Sequence, residues 1–357
     1  LVVYLLVGGR EIVVSNVGSR MMRASRSAVC MVCRAAFGLA LALAVGCGGG
    51  RETAEGVKKQ KLLVYHAASL TLPFVAIEKL MEARFPGLNV ICESSSSRMA
   101  IRKVTDLQRK ADIVASADEA LIRSQMMPDY ADWVGTFARN RVVIAYTERS
   151  RYRDQINQDN WYEILLREDV NYGQADPNNA PVGYRTWLTW KLASHHYADK
   201  LQGRDLFEEL KANCPTRNIR PHCNELIPLL ESLALDYTFQ YRSVALQHHL
   251  TWLKLPEEID LGSEKHKDLY AKTKVEISGR MKGTTAIKTG KPILYGATMV
   301  RDPQNREMAL EFLKILFGPE GQKILEENFQ EGVAPVYCDN VQAAPEVLRE
   351  LLRPADF

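Results

Sequence analysis

Residues 61–87 read KLLVYHAASLTLPFVAIEKLMEARFPG, and this stretch decides the fold. Residues 61–66 are an apolar run of the length of one buried strand. Phe74, Ile77, Leu80, Met81 and Phe85 then recur at helical spacing, and Pro86-Gly87 stops the helix. Between strand and helix lie Ser69, Thr71 and Pro73, the proline suiting the opening turn of a helix. The pattern repeats outward. Residues 88–92 are a second short strand, 94–97 are four serines in a polar turn, and a helix follows over about 99–109. ADIVASAD (111–118) is a third strand with its terminal loop, and RVVIAY (141–146) a further strand. Strand and helix alternating at this tempo imply a parallel sheet covered by helices.

After Thr147 the texture becomes polar, with aromatic anchors at Tyr152, Trp161 and Tyr162. A turn cluster at 176–181 leads into a helix carrying Trp187 and Trp190, and 235–241 reads as another strand. KPILYGATMV (291–300) reads as a strand returning to the first domain, followed by an amphipathic helix over 306–317 and a shorter one over 322–329. The reading is an α/β protein of two lobes. The first lobe is discontinuous, 60–146 with 292–357, and 147–291 is inserted as the second. Two lobes joined by two crossings make a hinged clamp, with ligand expected at strand ends and helix starts between them.

The 357 residues, 46% apolar and 25% charged, suit two ordinary globular domains. The formal net charge of +3 misleads, because Arg10, Arg20, Arg23, Arg26 and Arg34 against Glu11 place +4 within residues 1–46. The remainder carries −1, which disfavours a nucleic-acid partner. The basic stretch precedes AAFGLALALAV (35–45), too short to span a bilayer, which needs about 20 residues. Basic region, short apolar run and small residues form a secretory signal, cleaved before Cys47. A cysteine there, followed by Gly48, Gly49 and Gly50, reads as a lipid-carrying first mature residue with a flexible tether over 47–59. Met21 or Met22 opens such a signal better than Leu1, and nothing is read from 1–20. Cys30 and Cys33 lie in the signal. Of Cys92, Cys214, Cys223 and Cys338, Cys214 and Cys223 are spaced to close a short loop in an exported chain.

Three successive strands end in hydroxyl-rich turns: Ser69 and Thr71, then Ser94 to Ser97 including Ser96, then Ser116. Helix starts expose unpaired N–H groups, and added hydroxyls make a neutral cradle for a small anion. The competing reading is that each serine only caps a helix. From the other lobe come Tyr241, able to donate one hydrogen bond, and Arg185, able to pair with an anion or with a neighbouring acid. His66 lies beside the first turn, facing the cleft or packed against it. His195-His196 and His248-His249 are neighbours that do not face one another on a helix, so neither is a natural metal site. GxSxG, HExxH, P-loop and dinucleotide motifs are absent, so no enzyme, catalytic residue, cofactor or metal is expected.

The stretches YHAASLTLPF (65–74), RKVTDLQRKADIVASAD (102–118), MMPDYADW (126–133), ADPNNAPVGYRT (175–186), LDYTFQYRSVALQHHL (235–250), LPEEIDLG (255–262), GKPILYGATM (290–299) and FGPEGQKILEENFQ (317–330) together span nearly all of the mature chain. They resemble the tungstate/molybdate-binding lipoproteins among the substrate-binding proteins of ABC importers. The resemblance implies a two-lobed periplasmic binding protein fold (type II), with parallel or mixed sheets flanked by helices. It also implies tetrahedral tungstate or molybdate as ligand, held by serine and backbone donors with a tyrosine. Ser69, Ser97 and Tyr241 match those positions, with Ser96 where the family usually has glycine. In several members an aspartate and a glutamate also approach the metal. Here the aspartate position is Ala180 and the glutamate aligns with Cys223, Glu225 standing two residues on.

A donor-only site selects for size and charge, so sulfate or another oxyanion becomes a rival ligand. Cys223 is expected as a neutral thiol or in a disulfide with Cys214. The partners implied are an ABC permease with its ATPase, the oxyanion, and a membrane reached through Cys47. The chain is expected to be monomeric and periplasmic or otherwise extracytoplasmic. A sensor or structural lipoprotein is the other class of reading.

Overall fold

The structure is a computed structural model that describes residues 60–355 and, as backbone, 3–7 and 10–14. The chain divides into two units, Leu1–Glu55 and Gly56–Phe357. In the first, strands β1 (Val3–Val7) and β2 (Arg10–Val14) pair antiparallel. The secretory signal, Cys47 and the tether lie outside the described residues.

The second unit is built on two main sheets. Its strands are β3 (Gln60–Ala67), β4 (Leu88–Ser95), β5 (Ile113–Ser116), β6 (Gly135–Asn140), β7 (Val142–Tyr146), β8 (Tyr172–Ala175), β9 (Ile219–Arg220), β10 (Tyr237–Tyr241), β11 (Thr251–Lys254), β12 (Lys274–Ser278), β13 (Thr285–Thr289), β14 (Ile293–Met299), β15 (Glu331–Cys338) and β16 (Leu352–Pro354). One sheet has seven strands in the order β16-β15-β6-β14-β5-β3-β4, the other five in the order β11-β7-β10-β8-β9, and β12 with β13 forms a separate ribbon. Strand β3 pairs parallel with β4 and β5, as the alternation of strands and helices requires. Strand β14 runs antiparallel between β5 and β6, so the larger sheet is mixed.

The helix Thr71–Arg84 buries Phe74, Ile77 and Met81 on one face, and Leu80 and Phe85 pack half-buried at its margin. It ends where Gly87 takes a positive φ of 88°, a conformation glycine adopts without a Cβ penalty. Phe74 stacks on Phe137 and edge-on to Phe312, tying this helix to β6 and to the helix Arg306–Phe317. In the other half, Trp190 of the helix Pro181–His196 and Trp161 both meet Phe239 of β10 edge-on. Each sheet thus has its own aromatic centre.

One placement differs from the sequence reading. The strand at 141–146 was expected in the first lobe, yet β7 pairs antiparallel with β10 and β11 of the five-stranded sheet. The chain therefore leaves the larger sheet at Arg141, directly after β6, and re-enters it with β14. All of β7 but its last residue is buried, so its apolar pattern reports burial and says nothing about which sheet buries it. The helix expected over 99–109 is Ser97–Thr105, starting two residues earlier because Ser96 caps it.

Candidate functional site

Where β3 ends, Ala68–Leu70 form a 3-10 turn that runs into the helix Thr71–Arg84. Ser69 Oγ lies 3.0 Å from Tyr295 Oη of β14. Asn140, the last residue of β6, donates to the same phenol oxygen at 3.2 Å and to Ser243 Oγ at 2.8 Å. Either hydroxyl can donate in this contact, since the Tyr295 oxygen can accept from Asn140 and Ser69 together, and where Tyr295 is the donor Ser69 keeps its own proton for another acceptor.

The second serine turn splits its work. Ser96 caps the helix Ser97–Thr105 by accepting from Met99 N at 3.3 Å and donates to Asn179 Oδ1 at 2.9 Å, beyond the end of β8. Ser97 accepts from Ala117 N at 3.0 Å and also keeps its proton. Ser116 does not join them: its hydroxyl donates to Asp118 O at 2.7 Å and accepts from Asp118 N at 3.0 Å, so both roles are filled within its own turn. The cap reading thus describes part of Ser96 and all of Ser116.

From the five-stranded half, Tyr241 ends β10 and Arg185 sits one turn into the helix Pro181–His196. Arg185 Nη1 donates to Tyr241 Oη at 2.7 Å and to Ala117 O. Tyr241 and Tyr295 meet edge-on with centroids 5.9 Å apart. An unbroken chain of contacts therefore runs Ser69, Tyr295, Tyr241, Arg185, Ala117, Ser97. Ser69, Ser97 and Tyr241 are each at most 2% exposed. Ser97 and Tyr241 have their oxygens engaged and a proton left to donate, and Ser69 has the same when Tyr295 is its donor.

Of the two sequence readings of Arg185, the structure shows the contact with an acid, Asp118 Oδ1, at 3.7 Å. Burial alone would raise the Asp118 pKa, but Lys291, Arg185, Lys288 and the Tyr184 hydroxyl at 2.5 Å outweigh it and hold the carboxyl well below its ordinary value. Burial raises the pKa of both Tyr241 and Tyr295, keeping the phenols protonated at neutral pH. His66 is buried, holds Ala67 O through Nδ1 at 2.9 Å and packs on Phe74. Burial pushes its pKa down to about 4, so it is neutral and its role is packing.

Ala180 is the cap residue of the helix Pro181–His196 and contributes no side-chain polar group. Cys223 is buried near Tyr241 and Tyr295. Its thiol is free, as is that of Cys214, so the disulfide weighed between them is not formed. Burial pushes the Cys223 thiol up to about 12, leaving it neutral. Glu225 does not replace the missing acid, because it is half-buried and paired with His222 at 3.0 Å.

Sequence reasoning did not single out Asn140, Tyr295 or Asp118. Tyr295 had a signal in hindsight, an aromatic with a polar end in a strand otherwise apolar and small. Asn140 had none, since its role depends on three elements distant in sequence.

The halves are drawn together around the network. Arg98 of the helix Ser97–Thr105 donates to Asn178 O at 2.6 Å, Ser278 O at 3.0 Å and Gly279 O at 3.2 Å. Asn224 donates to Ala68 O at 3.2 Å, and Gln247 to Asn328 O at 2.7 Å. Buried hydroxyl donors at helix starts, between closed halves and without a carboxylate among them, can hold a dehydrated anion by hydrogen bonds alone.

The family described as bacterial extracellular solute-binding protein matches residues 62–329. The chain belongs to that family. It is 45% identical over 82% of its length to an uncharacterized solute-binding protein of Petrotoga mobilis, covering 90% of that protein. It is 42% identical to the molybdate/tungstate-binding protein WtpA of Pyrococcus abyssi, again over 82% of this chain and 90% of that one. WtpA of Thermococcus kodakarensis is 41% identical over 83% and 88%. This solute-binding protein is thus a relative of the WtpA proteins, and its fold is the two-lobed type II binding-protein architecture. The periplasmic molybdate-binding protein of Azotobacter vinelandii superposes with a TM-score of 0.53 at 14% identity, over 76% of this chain and 98% of that one. The sulfate-binding protein SubI of Mycobacterium tuberculosis superposes with a TM-score of 0.54 at 14% identity, over 83% and 93%. Those two likenesses are of fold.

Proposed function

We propose that this solute-binding protein captures tungstate or molybdate outside the cytoplasm and passes it, chemically unchanged, to an ABC permease and its ATPase. The observation that carries this reading is the set of three buried hydroxyls, Ser69, Ser97 and Tyr241, of which Ser97 and Tyr241 have their oxygens engaged and a proton left to give, as Ser69 has when Tyr295 is its donor. A tetrahedral dianion is a pure acceptor, and only a donor-rich pocket matches it. The names of the WtpA relatives support these two ions as the first candidates. Arg185 acts behind Tyr241 in this reading, while Ser96 and Ser116 shape the turns. No step of catalysis is assigned to any residue. The lobes are bounded near Arg141 and residue 291, and the mature chain is a monomer held to the membrane by a lipid on Cys47.

Sulfate is the second reading, favoured by Ala180 and Cys223, which leave the site without groups able to expand the coordination of a metal centre. Calorimetric titration of tungstate, molybdate and sulfate into residues 48–357 in phosphate-free buffer separates the two. Selective binding of tungstate or molybdate supports the first reading. Equal binding of sulfate supports the second, and no binding of any of the three ions overturns both.

A further inference from the structure

A cavity of about 290 Å³ opens beside the hydroxyl network, at Arg185. It lies between the start of the helix Glu119–Met126, the helix Pro181–His196 and β13, so elements of both halves wall it. Arg185 is the partition. Its Nη1 serves Tyr241 and Ala117, whereas Nη2, also buried, has no hydrogen-bond partner and is turned to Asp118 on the cavity wall.

The charges lining this cavity do not balance. Arg185, Lys288 and Lys291 face the single carboxylate Asp118. Both Asp118 oxygens are already occupied, Oδ1 by Lys291 at 3.1 Å and Ala120 N at 3.2 Å, and Oδ2 by Tyr184. Lys291 also holds Glu119 at 2.8 Å, and Glu119 in turn holds Arg123, so that acid is shared between two cations. Lys288 makes no ion pair among the described residues, and its ammonium stands 5.1 Å over the Tyr184 ring. Burial lowers its pKa; Asp118 opposes this, while Lys291, Arg98 and Arg185 add to the lowering. A half-enclosed space with two more cations than carboxylates on its walls draws in an anion. Its volume exceeds that of several waters, at about 30 Å³ each, so a small oxyanion with part of its hydration fits.

We infer that this cavity is a second anion site, separate from the hydroxyl network, that takes an oxyanion of the phosphate class on Lys288, Lys291 and Arg185 Nη2. Because both halves wall it, an anion bound there favours the closed clamp, and by linkage it tightens the inner ligand. The inference does not depend on which ion the inner site takes.

The test is titration of inorganic phosphate into residues 48–357 saturated with tungstate, comparing wild type with Lys288→Gln. The expected result is a phosphate isotherm in wild type that weakens by about tenfold or more in Lys288→Gln, the loss of one charge-assisted hydrogen bond. Tungstate affinity in phosphate-free buffer stays within about twofold, and Lys288→Arg restores phosphate binding. Absence of phosphate binding in wild type, or binding unchanged in Lys288→Gln, overturns the inference. So does a loss of tungstate affinity in Lys288→Gln without phosphate, which would merge the cavity with the inner site. If tungstate itself fails to bind, the proposed cargo fails, and the same comparison of the two proteins without tungstate still decides this site.

Discussion

The Arg185 guanidinium donates to the Tyr241 hydroxyl at 2.7 Å, so the phenol oxygen stands with its acceptor role filled and its proton still to give. A tyrosine in this state is oriented before any ligand arrives, and the ordering cost of one donor is met by the fold. Tyr241→Phe should weaken oxyanion binding by about 1.5–3 kcal/mol, the value of a hydrogen bond to a charged group. Calorimetry against wild type measures it, and an affinity unchanged by the substitution would remove Tyr241 from the site.

The two serines should separate stability from affinity. Ser97→Ala strands the buried Ala117 N–H, which loses its acceptor at 3.0 Å. It should cost about 1–3 kcal/mol of stability in denaturant melts as well as affinity. Ser69→Ala leaves Tyr295 with Asn140, so affinity should fall with a smaller loss of stability. Equal destabilisation by both substitutions would contradict these hydrogen-bond assignments.

Arg98 latches the halves through three carbonyl acceptors, at Asn178, Ser278 and Gly279. None of these is near the hydroxyls in sequence, yet all three contacts form across the clamp. Arg98→Ala should therefore speed ligand release by about tenfold or more, with a smaller change in the association rate. Stopped-flow measurement of both rates tests this.

His66 gives a pH dependence of defined sign. Burial sets its folded pKa at about 4, below the ordinary value of 6.5, so the native state binds fewer protons than the unfolded chain between those values. Its contribution to stability is fully present above about pH 6.5 and is lost as pH falls through that window toward 4. The full loss is on the order of 3 kcal/mol. Asp260 opposes it: burial raises that carboxyl to about 6, so its part of the stability falls as pH rises from the ordinary 3.8 toward 6. Urea midpoints at pH 4.5 and 7 for wild type and His66→Phe should show a smaller acid loss in the variant. An identical pH profile would mean His66 titrates normally.

The four described cysteines are all free, and burial raises the pKa of each thiol, to about 12 for Cys214 and Cys223 and about 11 for Cys338. At pH 8 the folded protein should react slowly with thiol reagents and, once denatured without reductant, release all four thiols. A missing pair would reveal a disulfide.

Much of this molecule was legible in its residues. Helical spacing at Phe74, Ile77 and Met81, and hydroxyl turns after successive strands, follow from local periodicity and from the orphan N–H groups of helix starts. Those rules act over a few residues and offered Ser69, Thr71, Ser94 to Ser97 and Ser116 as candidates; the family resemblance narrowed them to Ser69 and Ser97, with Tyr241. Local pattern could not assign β7 to its sheet, because burial on both faces looks alike in either. Nor could it show that Ser116 turns inward on Asp118, that Cys214 and Cys223 stay apart, or that Asn140 and Tyr295 orient the hydroxyl of Ser69. Those outcomes join residues up to 226 positions apart, as Ser69 and Tyr295 are. The amino-acid sequence by itself determined which segments become strands and helices and which hydroxyls stand at their ends. Only the tertiary structure decided which of those hydroxyls keep a proton to give, because a hydrogen bond depends on distance and direction between groups that the chain brings together from afar.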